Sequence, residues 1–220
     1  SDCWWNGNFI VNCSFTGISA IPEDITPTVL TADLSYNNIK TLLGTTGRNQ
    51  EWMLKHLNLS NNLISELSFV TTFGNLPCLE TLNLNSNALS TLTLGPPAHA
   101  AEEGGEVSRL LPALKVLAVE RNSLNVIPEG LGMLQSLQTV HLSSNYILQI
   151  DVNDFQNCSR LKNIYLQDNK ITKIHPEAFK DLNNLQVVDL RGNALTTLTP
   201  EILNNLNIFQ LGEDSSSNPC

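Results

Sequence analysis

Leu161-Lys162-Asn163-Ile164-Tyr165-Leu166-Gln167-Asp168-Asn169-Lys170-Ile171 is the stretch on which the fold turns. Its apolar residues fall at positions one, four, six and eleven, and an asparagine stands at position nine. Upstream the same spacing returns as Leu137-Val140-Leu142-Asn145-Ile147 and Leu114-Leu117-Val119-Asn122-Leu124. Further back it reads Leu79-Leu82-Leu84-Asn87-Leu89, Leu54-Leu57-Leu59-Asn62-Ile64 and Val29-Ala32-Leu34-Asn37-Ile39. Downstream it gives Leu185-Val188-Leu190-Asn193-Leu195, then an eighth beginning, Leu206-Phe209-Leu211, with Asp214 in the asparagine place. Repeat starts lie 25, 25, 35, 23, 24, 24 and 21 residues apart. A period of this length marks a unit that cannot bury its apolar face alone and must stack on copies of itself. Within each copy, positions four and six point to one side of a short strand and positions three and five to the other.

This pattern resembles the leucine-rich repeat family over nearly the whole chain. The resemblance implies an α/β solenoid, or horseshoe, with a parallel concave sheet. It also implies that the recurrent asparagine bonds free backbone groups of neighbouring coils, which would otherwise be buried without partners. Between strands a second apolar rhythm, Phe73-Leu76-Leu79, Phe155-Cys158-Leu161 and Phe179-Leu182-Leu185, predicts short helical or irregular convex turns. The domain reading is a cap over 1–28, about eight repeats over 29–211, and the start of a truncated second cap over 212–220. Pro96, Pro97, Gly104 and Gly105 block regular structure, so 95–108 reads as an insertion loop that explains the 35-residue interval.

The five cysteines divide by position. Val11-Asn12-Cys13-Ser14 followed by Ile21-Pro22-Glu23-Asp24-Ile25 resembles the N-terminal cap of extracellular members of the family. That resemblance implies a Cys3–Cys13 disulfide, and such bonds persist mainly in oxidising compartments. The competing reading is two reduced thiols inside a cell. Cys78 and Cys158 lie three coils apart, roughly 14 Å at the usual strand spacing, beyond the reach of a disulfide. Cys158 therefore reads as a buried apolar residue, and Cys78 as a similar one. Asn218-Pro219-Cys220 resembles the opening of a C-terminal cysteine cap, which leads us to expect that the natural polypeptide continues. A chain opening on Ser1 is either processed or a fragment.

Composition narrows the function. The formal net charge is −9 over 220 residues, with 12 Lys+Arg against 21 Asp+Glu. A sequence-independent grip on nucleic acid or anionic lipid needs clustered positive charge, so neither partner is expected. Phosphate-loop, nucleophile-elbow, dinucleotide-glycine and zinc-protease motifs are missing. The reading is therefore not an enzyme, with no cofactor and no metal site. His56 and His141 face outward three repeats apart, and with His99 and His175 they read as solvated surface.

Binding is expected on the outward strand positions. In the first three coils these are mild and polar. Later coils carry charge and an aromatic residue, types that anchor interfaces. The candidate concave patch is Glu120, Arg121, His141, Tyr165, Asp168, Asp189 and Arg191, set against the plainer reading of a solvated, self-neutralising surface. Glycan sequons stand at Asn12, Asn58 and Asn157, with little weight in so asparagine-rich a chain. A glycan on Asn58 would cover the N-terminal half of the concave face.

Several stretches resemble one single-pass membrane member of the family more closely. They are 12–17 (NCSFTG), 55–65 (KHLNLSNNLIS), 178–190 (AFKDLNNLQVVDL) and 154–158 (DFQNC). The likeness implies repeats facing outside a membrane, held by a segment absent here. The expectation is an extracellular protein-interaction module, a membrane-attached or secreted receptor or adhesion ectodomain with a protein ligand on its concave face. The alternatives are an innate pattern-recognition ectodomain and an intracellular scaffold or regulatory subunit.

Overall fold

The computed structural model describes residues 2–42, 50–95 and 110–196. In chain order its strands are β1 Trp4–Asn6, β2 Ile10–Asn12, β3 Thr31–Asp33, β4 His56–Asn58, β5 Thr81–Asn83 and β6 Val116–Ala118. They continue with β7 Thr139–His141, β8 Gln149–Ile150, β9 Asn163–Tyr165, β10 Lys173–Ile174 and β11 Val187–Asp189. Nine of them make one sheet in the order β1-β2-β3-β4-β5-β6-β7-β9-β11, and β8 pairs with β10 in a second. Every neighbour from β2 to β11 in the large sheet is parallel, and only the β1–β2 hairpin is antiparallel. The protein is therefore a parallel-sheet solenoid of about seven coils, as the repeat predicts.

Register follows the repeat without slippage. Ala32, Leu57, Leu82, Leu117, Val140, Ile164 and Val188, all at position four, pair in sequence across the sheet. Each is buried, as are their position-six neighbours Leu34, Leu59, Leu84, Val119, Leu142, Leu166 and Leu190. A one-residue slip would turn all of these apolar side chains to water, so burial itself specifies the register. The long interval after the third coil leaves it intact, because β5 and β6 pair as closely related strands do. Of the expected insertion, 96–108 lies outside the described residues, as do the eighth repeat at 206–211, the cap expected over 212–220, His99 and Cys220.

Strands stop after three residues because the chain must turn. Position eight adopts a left-handed backbone in every described coil: Tyr36, Asn61, Ser86, Arg121, Ser144 and Asp168 have φ between 52 and 56°, and Gly192 has φ 69°. Positions seven and eight thus belong to the turn and not to the strand. At Gly192 the left-handed backbone coincides with close approach, since a Cβ there would collide with the Asp168 carboxylate.

The asparagine ladder joins the coils. Asn62 Nδ2 donates to the carbonyls of Leu34 at 3.0 Å and Leu59 at 3.1 Å, while its Oδ1 accepts the Ile39 N–H at 3.0 Å. Asn145 does the same with Val119, Leu142 and Leu124, and Asn169 with Leu142, Leu166 and Ile147. Asn122 reaches Leu84 and accepts from Leu89, bridging the insertion. Only a primary amide brings two donors and an acceptor on so short a stem. The position thus satisfies backbone groups that stacking removes from water.

The cap extends this ladder. Cys3 and Cys13 form a disulfide. The Cys13 N–H donates to the Asp33 carbonyl at 2.7 Å, as the Leu34 N–H does to Asn58 one coil on. Asn37 Nδ2 reaches the Cys13 carbonyl, and its Oδ1 accepts the Thr16 and Ile18 N–H groups. Phe15, with φ 55°, occupies the left-handed place. The cap is therefore a zeroth coil in which Cys13 fills a leucine slot.

The convex side is mostly irregular. Among the described residues it holds one short helix, α1 Phe69–Phe73, and a 3-10 turn at Leu131–Met133. Phe155 and Phe179 stack across coils with centroids 5.9 Å apart. Cys158 is buried, and burial pushes its thiol up to about 12. Cys78 is instead exposed, correcting the sequence reading. The reason lies in register: Cys158 stands three residues before Leu161, and the matching slot before Leu79 belongs to Leu76, which is buried.

Candidate functional site on the concave face

Position five forms the central row of the concave face: Asp33, Asn58, Asn83, Ala118, His141, Tyr165 and Asp189, each beside the next in register. In the first three coils this side chain serves its own turn. The Ser35 N–H donates to Asp33 Oδ1 at 2.9 Å, the Ser60 N–H to Asn58 Oδ1 at 3.0 Å and the Asn85 N–H to Asn83 Oδ1 at 2.9 Å. Such turns are a local habit of Asp and Asn. In coil four the residue is Ala118, which is buried, and in coils five and six they are His141 and Tyr165, which are half-buried and reach the surface.

These later residues meet one another. The His141 and Tyr165 rings stack with centroids 4.8 Å apart and 7° between planes. Glu120 Oε1 lies 3.3 Å from His141 Nδ1. Burial lowers the His141 pKa, and the Glu120 charge only partly opposes that. Near neutral pH the imidazole is therefore predominantly uncharged. Glu120, His141 and Tyr165 are half-buried, whereas Arg121 and Asp168 are exposed.

Asp189 and Arg191 behave differently. Asp189 is 1% exposed. Arg191 Nη2 donates to its Oδ2 at 2.7 Å, and Arg191 Nε to its Oδ1 at 2.9 Å. The Arg191 N–H also donates to Asp189 Oδ1, restoring the turn of the early coils. Hydrogen bonding to Asp189 and its charge, with a lesser contribution from Asp168, raise the Arg191 pKa. The pair is closed on itself, and its carboxylate has no surface left to offer. Of the seven residues expected to act together, the structure brings Glu120, His141 and Tyr165 into contact, sets Asp168 against Gly192, and places Arg121 on the rim.

Sequence reading passed over the opposite half. A hollow of about 510 Å³ lies over coils one to five, with Asp33, His56, Asn58, Asn83, Glu120 and His141 among its walls. His56 Nδ1 and Thr81 Oγ1 are 2.8 Å apart across adjacent strands. Lysine and arginine are absent from the walls of this hollow. The signal was present in the run of outward amides and hydroxyls, but such residues read as neutral until the sheet curves around them. Gln167, in coil six, has a buried Oε1 with no hydrogen-bond partner. His175 lies away from the face and accepts the Glu177 N–H.

Residues 112–171 and 159–212 match the family described as Leucine rich repeat, and residues 52–95 match Leucine Rich repeats (2 copies). The chain belongs to the leucine-rich repeat family. It is similar to human leucine-rich repeat-containing protein 66, with 44% identity over 166 residues, covering 74% of this chain and 19% of that protein. It is also similar to pig biglycan, with 28% identity over 182 residues and 66% of each chain covered. Among solved structures, the TLR13–ssRNA13 complex superposes with a TM-score of 0.69 at 23% identity, covering 86% of this chain and 25% of that one. This leucine-rich repeat chain spans about a fifth of the length of the first of these relatives. Family and fold are those of a protein-interaction module. No helix among the described residues is long and apolar enough to cross a membrane.

Proposed function

We propose that this chain is the ligand-binding part of an extracellular protein, a membrane-attached receptor or adhesion molecule or a secreted relative of one. It takes a protein ligand on the concave face centred on Glu120, His141 and Tyr165. The observation that carries this reading is the row at position five. Asp33, Asn58 and Asn83 are used up by their own turns, whereas His141 and Tyr165 form a half-exposed ring platform that the backbone does not use. Aromatic rings flanked by a carboxylate and Arg121 are the composition of an interface anchor. The Cys3–Cys13 disulfide and the likeness to biglycan support an oxidising location.

Nucleic acid is not the ligand of this reading, despite the RNA named with one structural neighbour. Positions three, five, seven and eight of the described coils hold only Arg121 and Arg191 as Arg or Lys, and Arg191 is committed to Asp189. Phosphate binding needs several free cations. Binding without chemistry is the proposed mechanism, with no cofactor.

The test is capture of surface and secreted proteins by the natural disulfide-bonded chain, compared with Tyr165→Ala combined with Arg121→Ala. The expected result is at least a tenfold loss of capture of the recovered partner with an unchanged melting temperature. Undiminished capture would remove the patch. Full alkylation of Cys3 and Cys13 in protein from its native cells would remove the extracellular reading.

A further inference from the structure

Four of the five exposed aromatic residues of the described chain gather at its N-terminal end, and the fifth, Tyr146, lies in coil five. Trp4 is 62% exposed, Phe9 51%, Phe15 74% and Tyr36 50%. Phe15 and Tyr36 stack with centroids 4.4 Å apart and 10° between planes, both on left-handed backbones that bulky residues rarely adopt. Trp4 pairs directly with Asn12 across the β1–β2 hairpin. Directly opposed residues share a face, with Cβ atoms about 5 Å apart. Asn12 is exposed and is the acceptor of the sequon Asn12-Cys13-Ser14. Its Oδ1 accepts the Ser14 N–H at 2.9 Å and the Ser14 hydroxyl at 2.7 Å, which leaves Nδ2 as the outward amide group.

We propose that Asn12 carries an N-linked glycan whose first sugars pack on the Trp4 indole, beside the Phe15–Tyr36 pair, so that the chain's own carbohydrate covers its apolar end. The inference rests on the extracellular reading above. In the transfer, Asn12 Nδ2 bonds to the anomeric carbon of an oligosaccharide carried on a lipid diphosphate. The carbon–oxygen bond to the diphosphate breaks, the lipid diphosphate leaves, and the amide gives up one proton. A pyranose has an apolar C–H face that fits an aromatic ring and hydroxyl edges that stay in water. It therefore covers an exposed indole without a second protein, where an uncovered apolar patch would invite association.

The other two sequons lack this surrounding. Asn58 is half-buried and pairs with Asp33 and Asn83, neither of them aromatic. Asn157 is exposed, but the nearby Phe155 and Phe179 are buried in the core.

The experiment is glycopeptide mass spectrometry of the full natural chain secreted from animal cells, followed by hydroxyl-radical footprinting of Trp4. Asn12→Gln and Ser14→Ala each abolish the sequon by a different residue. The expected result is a glycan on Asn12 and at least a threefold rise in Trp4 oxidation in both variants, with Trp52 unchanged. A glycan on Asn157 but none on Asn12 would overturn the assignment while leaving the extracellular reading standing. An occupied Asn12 with Trp4 oxidation unaltered in both variants would overturn the packing. Bare sequons together with reactive Cys3 and Cys13 would overturn both readings.

Discussion

The two halves of the concave face are built on one backbone and put to different uses. In coils one to three, position five carries Asp33, Asn58 and Asn83, and each closes its own turn. In coils five and six the same position carries His141 and Tyr165, whose rings stack on each other. Coil seven reverts, because Asp189 again accepts the N–H two residues on, and then recruits Arg191 as well. A side chain that satisfies its backbone has little left for a ligand. Polarity on the concave face is therefore a poor guide to binding, and freedom from backbone duty is a better one.

Predictions that break or sharpen this contrast run from large effects to small. Leu142→Asp should have the largest effect, because Leu142 is fully buried in coil five. An uncompensated charge there costs several kcal/mol. Loss of the cooperative thermal transition is expected, and a retained sharp transition would show that the repeat register is wrong. Asn145→Ala should come next. It strips the Asn145 partner from the Val119 carbonyl and the Leu124 N–H, whereas the Leu142 carbonyl keeps Asn169. Each orphaned buried group costs about 1–3 kcal/mol, so with two such groups urea titration should show a loss of at least about 2 kcal/mol. A change below about 1 kcal/mol would demote the ladder.

Asn58→Ala and Tyr165→Ala then separate the halves. Asn58→Ala removes a turn hydrogen bond and should lower stability by about 1 kcal/mol without altering partner capture. Tyr165→Ala should weaken capture with little change in melting. The reverse pattern would move the binding surface to the early coils. Arg191→Ala cannot serve in this comparison, since it would leave the buried Asp189 carboxylate without its guanidinium partner.

The smallest effect is a pH dependence. Burial lowers the His141 pKa below its unfolded value of 6.5. Below pH 6.5 the unfolded chain then binds the proton more readily than the folded one, so stability declines as pH falls through that window. His141→Gln should flatten this part of the stability–pH curve. An unaltered slope would assign it to other groups.

Much of the fold was legible because stacking obeys spacing. The position-four and position-six residues are as buried as their period requires, and Asn37 to Asn193 bond as their recurrence implies. The zeroth coil was not legible, because Cys13 and Thr16 stand where Leu and Asn would signal a repeat. Cys78 misled because an apolar rhythm allows two neighbouring residues to claim one slot, and only packing shows that Leu76 and Leu79 took the inward places. Asp189 looked available as a charge on an outward position, although its partner lay just two residues away.

By itself the sequence determined the solenoid, its register and the identity of the bonds between coils, because those depend on periodic burial and on backbone groups that every coil repeats. Tertiary structure decided which outward side chains are free. That choice depends on distances across neighbouring strands and on left-handed turns, and neither leaves a periodic mark in the chain.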